Sequence, residues 1–366
     1  MNKVKINIPG FYDVEINDFG ESLTDQFQIL IETFLKNGIV NITSTFVKES
    51  EKVFNGFVNQ QIYELSDRYF ENFTIVTENL LNPVRGQYRN ALILWEQVLE
   101  FVKNYEKKTG KQLHKRTPYY FSSITAILSN NFDEALILMH LALEEDKRKH
   151  GNFKEDPAYL FLSLNDEKQN QYFKPFVDGM ANFIKKRLDI GSDNYQKLRG
   201  GLLDYDNFRF KFLDNDLISD EMRFYFVYSI IRLWHLRKLH KSKISDNIMA
   251  PTIFTQSLGG LLIIIEEIIR KKYLRNTFGP ALKEMSRILG WDSDIDLRII
   301  NSARDTNFDQ WVDDCLSGNS LLTDFKLSYG LRNFTFHSIK SQKKLWDEYT
   351  RILQSVLNCL FKLVEV

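Results

Sequence analysis

An arginine, an amide and an imidazole fall within six residues of one another in the segment Y-G-L-R-N-F-T-F-H-S-I, from Tyr329 to Ile339. Arg332 carries a guanidinium that stays charged in any protein setting, and its planar fork matches phosphate oxygens. His337 can take and return a proton near neutral pH. Asn333 precedes His337 by four residues, one helical face, so its amide can bond an imidazole nitrogen and fix the tautomer. Arg332 and His337 are five residues apart, about 140° around a helix of 3.6 residues per turn, and a long arginine can still converge with the imidazole on one phosphate. Such a kit suits breaking an RNA phosphodiester without a metal. The substrate brings its own 2′-hydroxyl nucleophile, the imidazole moves protons, and the guanidinium neutralises developing charge. The bare arginine-to-histidine spacing is expected about once by chance in such a chain, so the amide and the helical context carry the inference.

Those residues need helices to position them, and the apolar periodicity supplies candidates. Helices are predicted over 221–240, 251–273, 279–289, 293–316, 320–339 and 341–366, and the last five are long enough to enclose a core as a bundle. Upstream, Val4, Ile6 and Ile8 alternate before Pro9-Gly10, and Tyr12, Val14 and Ile16 alternate after it, the pattern of a β-hairpin. Helical period follows over 22–37, over 45–81 with a break, and over 86–108. Residues 117–150 read as two helices meeting near Asn130-Asn131, and 157–188 as one or two more. The densest cluster of turn residues, Gly191 to Asn215, marks the expected domain boundary. The expected fold is therefore mainly α: a β-hairpin (1–20), a helical domain (21–215), and a helical bundle (216–366, core about 246–366).

The segment L-R-N-F-T-F-H-S-I, with a long apolar helix on either side, resembles the signature of HEPN domains over about the last 120 to 150 residues. That resemblance implies a small α-helical domain and a metal-independent endoribonuclease whose composite site forms across a homodimer. Arg332, Asn333 and His337 would be the catalytic residues, and no cofactor or metal is expected. A single imidazole does not easily serve as both base and acid, which favours two copies facing each other about a twofold axis. The products would be a 2′,3′-cyclic phosphate and a 5′-hydroxyl. The resemblance further implies a toxin or phage-defence effector kept silent by a separate sensing region. Residues 21–215 are the candidate for that region, with a protein or small molecule as regulator. Within it, N-F-D-E-A-L-I-L-M-H-L-A-L-E-E-D resembles the second helix of a tetratricopeptide repeat through Ala135, Met139 and Ala142. Ser122, Ser123 and Ala126 depart from the first helix of that repeat, and no second copy follows at a 34-residue step. The alternative function is a non-catalytic helical interaction module that uses its bundle only to dimerise.

Composition narrows the field. A chain of 366 residues with 43% hydrophobic and 14% aromatic residues can fill two ordinary domains. Its 48 basic and 48 acidic residues cancel, so any RNA contact has to come from a local basic patch. Two cysteines, Cys315 and Cys359, without a CxxC exclude a disulfide framework and a zinc ribbon. Asp204-Tyr205-Asp206 and the acidic run Asp292 to Asp296 lack both a calcium-loop pattern and histidine company. No phosphate-cradling glycine loop is present. The basic stretch Arg232 to Lys241 suits an RNA track, but Leu233, Leu236 and Leu239 favour a packing helix. Glu266 and Glu267 either orient active-site cations or, the favoured reading, sit where their helix turns to water. His114, His140 and His150 are expected to be structural or solvent-facing. The N-terminus lacks a signal-peptide core, and the apolar run Leu258 to Ile265 ends at two glutamates, too short to span a bilayer. A soluble cytoplasmic protein with no membrane partner is the expectation.

Overall fold

The computed structural model describes residues 3–7 and 13–17, isolated positions between 70 and 80, and residues 87–366 apart from 130, 150, 165–173, 215–217, 242–248, 292–294 and 336–341. The helix predicted over 22–37 and most of that over 45–81 lie outside the described residues. The described residues are mainly helical. Two short strands, Lys3–Asn7 and Asp13–Asn17, pair antiparallel with Val4 opposite Ile16. The chain divides into two compact units: residues 1–160 with 170–176, and residues 161–169 with 177–366.

In the first unit, the Tyr88–Thr109 helix buries Leu94, Trp95, Val98 and Val102, and Trp95 stacks on Phe121 at 5.6 Å. Gly110 ends this helix in the left-handed region (φ 70°), where glycine carries no Cβ penalty. The next two helices, Arg116–Leu128 and Phe132–Lys149, pack on one another. Ser122, Ser123, Ala126, Ala135, Met139 and Ala142 are all buried, and the Ser123 hydroxyl donates to the Ala135 carbonyl at 2.7 Å. Small side chains on both helices bring the backbones close enough for that bond.

The second unit is built around the Met249–Lys272 helix. Phe254, Leu258, Leu262, Ile265, Ile268 and Ile269 are each 0% exposed, and burying such side chains stabilises by about 1.5–3 kcal/mol apiece. The helix packs on Asp220–Lys241, Phe278–Ile288, Leu321–Thr335, Gln342–Asp347 and Tyr349–Glu365. Its apolar stretch is longer than the Leu258–Ile265 run suggested. Residues 250–272 meet the length and hydropathy needed to cross a membrane, and 67% of the most apolar window is buried inside the protein.

Three expected boundaries differ. The helix predicted over 293–316 is two helices, Leu297–Thr306 and Phe308–Ser317, because Asn307 leaves helical geometry (φ −148°, ψ 85°) and caps the second one by accepting from the Gln310 N–H. The last predicted helix is likewise divided into Gln342–Asp347 and Tyr349–Glu365. The Gly191–Asn215 stretch, expected as the domain boundary, belongs wholly to the second unit. Gly191 lies in mid-helix within Lys174–Arg199, where a Cβ would meet Leu357 at 3.3 Å and Phe361 at 3.4 Å. At Gly201 a Cβ would fall 1.9 Å from the Tyr195 ring. These glycines mark close packing, and only their composition imitates a linker.

A buried polar network ties this unit together. Asp324, 2% exposed, accepts from Arg199 Nε at 2.6 Å and Nη2 at 3.1 Å, from the Ser355 hydroxyl at 2.5 Å and from Asn358 Nδ2 at 3.0 Å. The fork-on-carboxylate geometry joins the Lys174–Arg199, Leu321–Thr335 and Tyr349–Glu365 helices.

Candidate functional site

The Leu321–Thr335 helix carries Arg332 and Asn333. Ser320 caps its start, its hydroxyl accepting from the Thr323 N–H at 3.2 Å. One face, Phe325, Leu327, Ser328 and Leu331, is 0% exposed. Gly330 lies flat under Trp311, where a Cβ would come within 2.3 Å of the indole ring. Phe334 stacks on Phe308 at 4.0 Å, and Tyr329 meets the Phe278 ring edge-on at 5.4 Å. Rings therefore grip the helix on either side of Arg332, so the guanidinium starts from a rigid platform.

Arg332 is half-buried. Its Nε donates to Glu266 Oε2 at 2.5 Å, and its Nη1 to the Asn333 side-chain oxygen at 3.4 Å. The Arg332 side chain is 31% exposed and that of Glu266 only 9%. Glu266 is thus no surface residue where a helix turns to water. It projects from the core helix and fixes the rotamer of the motif arginine. Glu267 does sit outward, paired with Arg270 at 2.6 Å. The sequence placed Glu266 next to an apolar run, but its partner stands 66 residues away, so no local spacing could have named the pair. His337, the third predicted residue, lies outside the described residues. The structure accordingly brings together Arg332, Asn333 and Glu266, for which the sequence favours a surface position. An arginine already paired attracts a free anion less than a bare one, but it meets a phosphate in a set orientation, which is what preorganised charge stabilisation requires.

The same unit holds a wide groove of about 860 Å³ walled by Arg275, Lys283, Arg287 and Arg298, with Glu284 and Asp296 among them. Glu284 accepts from Arg287 at 2.6 Å and Arg275 at 3.2 Å, and these bonds, Arg287 first, hold its carboxyl below the usual range. The backbone N–H groups of Arg298 and Ile299 do the same for Asp296, which caps its helix. The cations come from two helices and the turn before the first of them, and converge only in the fold. One wall, the Phe278–Ile288 helix, touches the motif helix through the Phe278–Tyr329 ring contact.

The Arg232 to Lys241 stretch packs: Leu233 and Leu236 are buried, the Arg232 guanidinium lies over the Tyr228 ring at 5.1 Å, and His240 stacks on Tyr349 at 5.3 Å. In the first unit His114 is buried, its Nε2 3.6 Å from Asp146 Oδ1, and Arg116 Nη1 lies 3.6 Å from the same oxygen. Burial pushes the Asp146 carboxyl upward, more than His114 and Arg116 pull it down. Among the described residues, no group of three or more His, Cys, Asp or Glu side chains is placed to hold a metal ion. Both cysteines are buried thiols. No family model, curated protein or solved structure matches the chain.

Proposed function

We propose that this chain is an endoribonuclease of the HEPN type that cleaves RNA by 2′-hydroxyl transesterification without a metal. The observation that carries the reading is Arg332, aimed by the nearly buried Glu266 and joined to Asn333 on one turn of an immobilised helix. In this mechanism His337 takes the 2′-hydroxyl proton. Arg332 bonds the non-bridging oxygens as negative charge builds on the pentacoordinate phosphorus. Asn333 positions the imidazole or the phosphate. The departing 5′-oxygen receives its proton from a second imidazole, which a C2 homodimer through the bundle supplies. RNA approaches along the groove of Arg275, Lys283, Arg287 and Arg298, a local basic track on a chain of zero net charge.

The biological role that goes with this chemistry is a cytoplasmic toxin or phage-defence effector, with the region before the bundle taking up a protein or small-molecule signal. A specific observation favours a second reading, a non-catalytic interaction module: the Arg332–Glu266 pair is also a sound structural ion pair between two packed helices. The two readings separate on RNA cleavage in excess chelator. The nuclease reading expects Arg332→Ala and His337→Ala to lower the rate, the latter on the order of 10²- to 10⁴-fold. Cleavage surviving both substitutions removes the assignment, and an intact dimer with no cleavage in any buffer supports the module.

A further inference from the structure

Away from the motif, the Lys174–Arg199, Asp220–Lys241 and Tyr349–Glu365 helices enclose a cavity of about 90 Å³. Its walls are mostly apolar: Ile184, Leu188, Ile230, Leu233, Leu353 and Leu357. Two guanidiniums enter it, Arg187 and Arg237, from facing helices. The Arg187 guanidinium lies over the Trp234 ring, 3.5 Å from its centroid, and that of Arg237 stands 5.5 Å from the same ring. Among the described residues, neither arginine has a carboxylate partner, and Arg237 Nε is buried without a hydrogen bond. Burial first, and then the charge of Arg237, depress Arg187 from its ordinary value. Two like charges turned into one small apolar space, with no acid between them, call for an anion.

We propose that this cavity binds a small phosphate monoester, its phosphoryl group between Arg187 and Arg237 and its organic part against the leucine and isoleucine walls. Charge decides for phosphate over carboxylate. A phosphate monoester brings about −1.5 to −2 charges and three acceptor oxygens, which match two forks, whereas a carboxylate neutralises one. Size decides for a small ester: at about 10–15 Å³ per water the cavity holds roughly six to nine waters, room for a phosphoryl group and a ring or short chain. The rear wall is already ordered. Gln354 accepts from Asn194 at 3.1 Å and donates to the Gly191 carbonyl at 3.0 Å and to Asn358 at 2.8 Å. Asn358 in turn donates to Asp324 on the motif helix, so binding needs little rearrangement of the framework.

The test is isothermal titration calorimetry of the full chain with phenyl phosphate, inorganic phosphate and benzoate. It is repeated on Arg187→Gln and Arg237→Gln, and on Arg187→Lys and Arg237→Lys should a glutamine variant lose its near-ultraviolet dichroism. Saturable binding of phenyl phosphate is expected, weakened about tenfold or more in each variant, with inorganic phosphate and benzoate both weaker in the parent. Absence of saturable binding at millimolar ester, or equal affinity in parent and variants, overturns the site. Benzoate or inorganic phosphate binding as tightly as the ester overturns the assignment of its ligand. Neither readout depends on RNA cleavage, so failure here and failure of the nuclease reading remain distinct.

Discussion

Replacing Asp324 by alanine tests whether the buried network holds the motif helix in place. The carboxylate accepts four bonds, two of them from an Arg199 side chain that is itself only 11% exposed. Removing it strands a buried guanidinium and leaves the Ser355 and Asn358 donors unmatched. Breaking a buried pair by deleting one partner costs about 3–5 kcal/mol. With a urea slope of about 2–3 kcal/mol per molar, the midpoint should fall by roughly 1–2.5 M. Tryptophan fluorescence reports this unit well, because Trp234, Trp291, Trp311 and Trp346 lie in it and only Trp95 lies in the other. The double variant Arg199→Met with Asp324→Leu removes both charges together. It should return to within roughly 1–2 kcal/mol of the parent, since burying the pair was itself expensive. A loss below about 1 kcal/mol for Asp324→Ala would refute the reasoning, because Arg199 would then be escaping to water at no cost.

Three further outcomes follow from single contacts. Glu266→Gln keeps the shape of the side chain but not its charge; RNA cleavage should drop by about 10- to 100-fold while far-ultraviolet dichroism stays the same, and an unchanged rate would show that Arg332 needs no such guide. Gly330→Ala drives a methyl group toward Trp311, so thermal unfolding should show a loss of about 1–3 kcal/mol. Asp146 titrates above its ordinary value in the fold, so the folded chain binds its proton more tightly than the unfolded one. Its contribution is complete at pH values below the unfolded pKa and is lost as pH rises through the folded one. Hydrogen exchange of the Phe132–Lys149 helix should therefore show stability falling, by up to ~1.4 kcal/mol per unit, as pH rises above the ordinary carboxylate range, and Asp146→Asn should flatten that slope.

Local signals were legible in the chain. The apolar period of residues 249–272 and the Asn130-Asn131 interruption correspond to helices at nearly the expected positions, because such patterns depend on neighbours three or four residues apart. The break at Asn307 was hidden, since apolar residues continue in helical register on both sides and only the side-chain cap reveals the turn. Glycines at 191 and 201 misled because composition does not distinguish a flexible glycine from one against which an aromatic ring is packed. At the site, Arg332 and Asn333 were visible as types and spacing. Glu266 was visible only as the less favoured of two readings, and Arg199 and the Arg187–Arg237 pair not at all, because each meaning depends on a partner brought from a distant helix.

The most direct measurement of the central claim is the chemistry of the ends left on a cut RNA. An oligoribonucleotide incubated with the full chain in excess chelator and analysed by mass spectrometry should yield 2′,3′-cyclic phosphate and 5′-hydroxyl termini. Those products should disappear with Arg332→Ala, with His337→Ala, and when a 2′-deoxynucleotide occupies the cleavage position. Termini carrying 3′-hydroxyl and 5′-phosphate, or cyclic-phosphate ends that persist in both variants, would contradict it.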